Sequence, residues 1–305
     1  QFLSNEMDNQ PFNHQEIKEI MDLCLSCKGC KTECPSGVDI AKMKAEFLQH
    51  YYDKNGVPFR ANLIANFSKQ MKLASVAPWA FNAFYTVPLF RKIANSIVGF
   101  HPNRTMPKLA NQTLLKWYQT RSKSNSKQNS LVYFFCDEFT NYNDASIGKT
   151  AIQLLEALGY QVIIPHHLES GRTYLSKGLV KKAKQIINTN IQLLHPYISE
   201  KTPLIGIEPS ALLTFRDESK DLATTENKAK AFNIATNTFT IEEFLAQEFT
   251  AGKIDRTQFT TASKQIHVHG HCYQKALSNQ QHSKTCLEIP VNYKVNIIPS
   301  GCCGM

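Results

Sequence analysis

Apolar positions in the first fifty residues recur at helical spacing. Ile17, Ile20, Met21 and Leu25 share one face of a helix expected from His14 to about Leu23, with Asn13 placed to cap it. Ile40, Met43, Phe47 and Tyr51 repeat the pattern after Asp39, a residue suited to cap a second helix, until Lys54-Asn55-Gly56 reverses the chain. Residues 57–119 read as further helices broken by proline. From Leu73 to Phe90 there is no Asp, Glu, Lys or Arg, but Pro78, Pro88 and Asn82 argue against a spanning helix. Packed connector helices are the expectation for this stretch, with a docking or membrane-facing surface as the second reading.

At Ser122–Ser130 the sequence S-K-S-N-S-K-Q-N-S has almost nothing to bury and marks a linker. Beyond it the pattern changes to short apolar runs alternating with amphipathic stretches. Leu131–Phe135, Val162–Pro165, Pro203–Ile207, Ile266–Val268 and Val295–Ile298 read as strands, and Thr150–Leu158 and Lys177–Leu194 as helices. Such alternation predicts an α/β domain with a largely parallel sheet. The expected fold is α+β overall, with an all-α module over residues 1–120, a linker over 121–130 and an α/β domain over 131–305, truncated at its C-terminal end. Within that domain, Gln161–Gly171 and Lys294–Gly304 match as apolar strands running into a glycine-ended loop. Each follows a strand that ends near one cysteine, Cys136 or Cys272. Two half-repeats are therefore expected, the first carrying Glu169-Ser170 where the second has Cys302-Cys303.

The chemistry is concentrated in C-L-S-C-K-G-C-K-T-E-C-P. Cys24, Cys27, Cys30 and Cys34 follow the spacing C-x2-C-x2-C-x3-C-P, which holds a [4Fe–4S] cluster through thiolates. Structural zinc sites more often use two separated C-x2-C pairs, and disulfide frameworks scatter their cysteines through short secreted chains. Zinc remains the alternative. In two-cluster ferredoxins the cysteine before the proline serves the other cluster, so Cys34 closes the local site or a missing one. Two helices flanking such a loop make a ferredoxin-type module. Lys28 and Lys31 inside the loop can raise a cluster's potential or simply be solvated. A second cofactor site is expected where Cys272, Cys302 and Cys303 meet at strand ends, the flanking glycines letting backbone approach a bulky group. His271 and Cys286 are the extra ligand candidates for a metal or cluster there. His267 and His269 share a strand face with His271. The carboxylate pairs Asp137-Glu138 and Asp217-Glu218 read as surface pairs, and no residue is assigned a catalytic role.

Composition adds limits. With 42% hydrophobic and 19% charged residues the chain is globular, and the formal charge is +9. No groove-reading motif or aromatic platform accompanies that charge, so nucleic acid is not an expected partner; an acidic redox partner or an anionic membrane surface suits it better. Clustered cysteines, and the absence of a signal peptide, favour a cytoplasmic location with membrane association on that face as the variant. The first residue is Gln1 and the last residues are Cys-Cys-Gly-Met, from which a longer polypeptide is expected.

The cluster run resembles that of FAD-linked D-2-hydroxyacid dehydrogenases with a fused iron–sulfur part. It is similar, too, to the iron–sulfur subunit of glycolate oxidase and to a subunit of the anaerobic glycerol-3-phosphate dehydrogenase. H-C-Y-Q-K-A-L (271–277), P-S-G-C-C-G-M (299–305), G-R-T-Y-L-S-K-G (171–178) and I-G-I-E-P-S-A-L-L-T-F-R-D-E (205–218) resemble their cysteine-rich "CCG" domain. The resemblance implies an upstream FAD domain that oxidises a D-2-hydroxyacid, with electrons leaving through the clusters to a quinone or another acceptor. Related CCG domains in heterodisulfide reductases imply the alternative of a catalytic module. The first half's Glu169-Ser170-Gly171 departs from the family's Cys-Cys-Gly, which puts a cofactor spanning both halves in doubt.

Overall fold

The computed structural model describes residues 12–122 and 130–301. The N-terminal part is helical: α1 (Gln15–Leu23), α2 (Gly29–Glu33), α3 (Ile40–Asn55), α4 (Phe59–Ala65), α5 (Phe67–Ala74), α6 (Pro78–Thr86), α7 (Pro88–Val98) and α8 (Leu114–Thr120). Asp39 caps α3 as expected, accepting from Lys42 N at 3.2 Å. Asn13 does not cap α1. Its side-chain oxygen accepts from Asn55 Nδ2 at 2.8 Å, tying the start of α1 to the end of α3. Of the expected face of α1, Ile17 and Met21 pack on Phe47, Leu48 and Tyr52, while Ile20 and Leu25 lie at the surface.

The C-terminal part alternates strands and helices: β1 (Ser130–Phe134), α9 (Glu138–Tyr142), α10 (Ala145–Ala157), β2 (Tyr160–Ile163), α11 (Arg172–Ser176), α12 (Val180–Leu194), β3 (Leu204–Gly206), α13 (Pro209–Leu212), α14 (Glu218–Leu222), α15 (Lys228–Thr236), β4 (Thr238–Thr240), α16 (Ile241–Thr250), β5 (Lys264–Val268), α17 (Cys272–Leu277), α18 (Gln280–Leu287) and β6 (Tyr293–Ile297). The sheet order is β2-β1-β3-β4, all parallel, and β5 and β6 form a separate parallel pair. One apolar core, centred on Phe135, Ile187 and Leu204, lies against α12; another, centred on Phe134, Ile152 and Ile205, lies against α10 and α16. β1 to β2 and β5 to β6 each run strand, cysteine, short helix, longer helix, parallel strand.

The helix expected over Lys177–Leu194 is present as α12 but starts at Val180. Gly178 adopts φ +73 between α11 and α12, and a Cβ there would collide with Leu48 of α3. The break lets Leu48 of α3 rest against the backbone of the α/β part.

Candidate functional site

The cluster loop hangs between α1 and α3. Cys24 follows the end of α1, Cys30 sits in α2, and Cys34 ends it. Between them Ser26 (φ 56) and Lys28 (φ 63) are both left-handed, a conformation that costs a non-glycine residue roughly 1–2 kcal/mol each. Such strain persists only where surroundings over-determine it. Here they do, and most of the restraint comes from the α/β part.

Ser26 is buried, and its carbonyl oxygen accepts from Arg172 Nη2 at 2.6 Å and Tyr273 Oη at 3.0 Å. The Arg172 guanidinium stacks over the Tyr273 ring at 4.7 Å. Lys28, only 1% exposed, places its ammonium 2.6 Å from Asp39, 2.7 Å from Asp217 and 3.0 Å from Glu218. Burial alone would lower the Lys28 pKa, but Glu218, with Asp217 and Asp39, outweighs it and holds the group above the ordinary lysine value. Asp217 also takes Lys42 Nζ at 2.6 Å. Burial would raise its pKa, yet Lys28 and Lys42 bring it down to about 2. Lys44 Nζ donates to the Cys24 carbonyl at 2.5 Å.

The sulfurs are met by backbone N–H groups. Ser26 N donates to Cys24 Sγ at 3.4 Å, and Ile40 N to Cys30 Sγ at 3.3 Å. N–H groups of Val38, Ser36 and Gly37 hold the Cys34 thiol below its ordinary pKa. All four cysteines are half-buried thiols. N–H donors aimed at sulfur favour the thiolate, the form an iron cluster binds, so the donor set fits such a group. Among the described residues no three His, Cys, Asp or Glu side chains are gathered as ligands of a single ion. A four-iron cluster takes one thiolate at each iron and asks for sulfurs spread round a volume instead.

A cavity of about 480 Å³ opens beside the loop and the start of α17. It is lined by Ser26, Cys27, Arg172, His269, His271 and Cys272, among others. Thus Cys272, the second site's first member, faces the same space as Cys27. His271 is the N-cap of α17, its Nδ1 accepting from Tyr273 N at 3.2 Å. His267 is exposed on β5. Cys286 is elsewhere: it packs on the core around α16 and β6, and burial, with Glu242 nearby, pushes its thiol up to about 12. Cys302 and Cys303 lie outside the described residues. The chain just before them is held near the site. Lys275 of α17 donates to the carbonyl and hydroxyl of Ser300, and Gly301 sits beside Glu33 of α2.

Glu138 and the Glu169-Ser170-Gly171 segment form a buried lock. Buried Glu138 accepts from Ser170 N at 3.0 Å and from Ser170 Oγ at 2.6 Å. Ser170 Oγ in turn accepts from Arg172 N at 3.0 Å, and Gly171 (φ +82) starts α11. This lock sends Arg172 towards the cluster loop. The strained loop and its clamp of Arg172, Tyr273, Asp217 and Glu218 are not readable as such from sequence. The pair Asp217-Glu218, expected at the surface, is buried against Lys28, and Asp137-Glu138 is buried too. The one available signal was an uncompensated lysine between two cluster cysteines.

The chain is 28% identical over 304 residues to D-2-hydroxyglutarate dehydrogenase of Escherichia coli strain K12, a match covering 96% of this chain and 29% of that protein. To the protein of the same name from Haemophilus influenzae it is 24% identical over 307 residues, covering 97% of this chain and 30% of the other. To a subunit of the anaerobic glycerol-3-phosphate dehydrogenase of Escherichia coli strain K12 it is 23% identical over 217 residues, covering 70% of this chain and 53% of that protein. The chain therefore spans under a third of the length of the first two relatives. These matches bear out the resemblance carried by the motifs. No family model matches the chain, and no solved structure does.

Proposed function

We propose that this chain is the iron–sulfur electron-transfer part of a flavin-linked 2-hydroxyacid dehydrogenase. The relatives are dehydrogenases of D-2-hydroxyglutarate and of glycerol-3-phosphate by name, which supports an oxidoreductase. The observation that carries the reading is the Cys24–Cys34 loop, bent through two left-handed residues and furnished with N–H donors to its sulfurs. When bound, a [4Fe–4S] cluster there would supply one-electron transfer. Cys24, Cys27 and Cys30 would hold it, with Cys34 or a cysteine of a neighbouring module as the fourth ligand. Arg172 and Tyr273 fix the loop carbonyl, and Lys28, paired with Asp39, Asp217 and Glu218, ties the loop to the α/β part.

The flavin and the hydroxyacid site belong to a part outside this chain, and a quinone or another acceptor would take the electrons, at the cytoplasmic membrane face or in the cytoplasm. We read β1–β2 and β5–β6 as duplicated halves. Only the second keeps its cysteine pair, Cys302-Cys303, with Cys272 facing the cysteine loop, and a second metal or cluster would sit there. The test is iron content after anaerobic purification. Cys27→Ser is expected to lose the iron and the visible absorption; unchanged iron in that variant would contradict the assignment. Cys34→Ser in parallel identifies the fourth ligand, since equal loss assigns Cys34 to the local cluster.

A further inference from the structure

A cavity of about 290 Å³ opens where α1, α3 and α4 meet the end of α11. Lys18, Lys44, Arg60 and Lys177 line it, with Asp22 and Tyr52. Asp22 is already taken: its carboxylate lies 2.8 Å from Lys18 Nζ, one helical turn away. Lys44, Arg60 and Lys177 are left. Among the described residues none of these three has a carboxylate at ion-pair distance. Yet Lys44 is only 5% exposed, and Lys177 is half-buried. Buried ammonium groups are ordinarily paired, because taking an unpaired charge out of water is costly. Lys28 in this same fold is met by three carboxylates. Lys44 has a substitute, since its Nζ donates to the Cys24 carbonyl. Arg60 lies over the Phe100 ring, 5.1 Å away. Lys177 has neither. Burial first, then the charges of Lys44 and Arg60, hold its pKa below the ordinary lysine value, and Asp22 opposes them only in part.

The charge that this space lacks identifies its ligand. Once Lys18 and Asp22 cancel, the remaining lining is a set of N–H donors with no acceptor among its charged groups. Burial, with Asp22, pushes the Tyr52 hydroxyl up to about 12, so it too stays a protonated donor. Ammonium, guanidinium and phenol donors together select an oxyanion, and the surplus of cations selects one with two negative charges. The size is a further limit. The volume is far above the roughly 30 Å³ of one water and just under the range of about 300–1,000 Å³ found for drug-sized ligands. Phosphate or a short dicarboxylate is of the right scale. The donors come from both parts of the molecule: Lys177 belongs to the α/β part, and Lys44 and Arg60 to the helical part.

We propose that this cavity binds a small dianionic oxyanion, held by Lys177 with Arg60 and Lys44, so that the ion ties the two parts of the chain together. The site does not depend on the iron reading, so anion binding and iron content can fail separately. The test is calorimetric titration of the full chain at low salt with inorganic phosphate, succinate and acetate. Phosphate or succinate is expected to bind one per chain, more weakly as salt rises, and to raise the melting temperature. The tighter of the two gives the class, phosphate or dicarboxylate. Lys177→Met, which keeps the buried stem, should weaken that binding by about tenfold or more. Arg60→Gln, at an exposed position, should weaken it in the same direction and serves if the first variant does not fold. Lys201→Met, on the surface away from the cavity, should leave it unchanged. Absence of binding by both dianions, acetate binding as tightly as either, or full affinity in the Lys177 and Arg60 variants would overturn the proposal.

Discussion

Lys28 decides much at the scale of single residues. Its ammonium is shared by Asp39, Asp217 and Glu218, two of them from the α/β part and all largely buried. Removing one partner of a buried ionic group costs more than the group contributes, because the opposite charges stay behind without water. Lys28→Met is therefore expected to destabilise the anaerobically prepared chain by about 3–5 kcal/mol, read from the urea midpoint. A loss under about 1 kcal/mol would mean that solvent reaches the carboxylates. The sequence offered Lys28 as a loop lysine and Asp217-Glu218 as a surface pair. Neither reading could anticipate the other, since the partners are far apart along the chain and meet only once α2 rests on α17 and α14. The cysteine spacing, by contrast, is local, and its loop could be read directly.

Elements were legible where their pattern is local. β1, β2, β5 and β6 follow the short apolar runs, and Asp39 caps α3 where a capping residue was expected. The separation of β5–β6 from the four-stranded sheet has no comparable signature. Strand periodicity specifies a buried face, not which neighbour covers it. The break before α12 is tertiary in the same way. Gly178 needs positive φ, and its missing Cβ admits Leu48. Gly178→Ala imposes left-handed strain and a backbone shift, with an expected cost of about 1–3 kcal/mol and a lower melting temperature. An unchanged melting temperature would show that α3 does not rest there as closely as described. The lock of Glu138 on Ser170 belongs to this scale too: Ser170 Oγ also accepts from Arg172 N where α11 starts.

In the whole molecule the two parts act as a holder and its load. The helical part carries the cysteine loop, and the α/β part supplies the arginine, tyrosine and carboxylates that keep that loop bent. Cys272 lines the cavity beside that loop, and Lys275 of the same helix holds Ser300. The cationic cavity lies where the two parts meet, with Lys177 from one and Lys44 and Arg60 from the other. Net charge alone gave the sign of the expected partner. That several of these cations line one cavity became legible only with the two parts packed together.

All of this rests on thiolates that bind iron, and the most direct measurement is metal and acid-labile sulfide in anaerobically purified chain. The account predicts about four irons and four sulfides for each cluster held, with a visible absorption that bleaches on reduction. Colourless protein that takes up neither iron nor sulfide on reconstitution, or that holds zinc in their place, would contradict it.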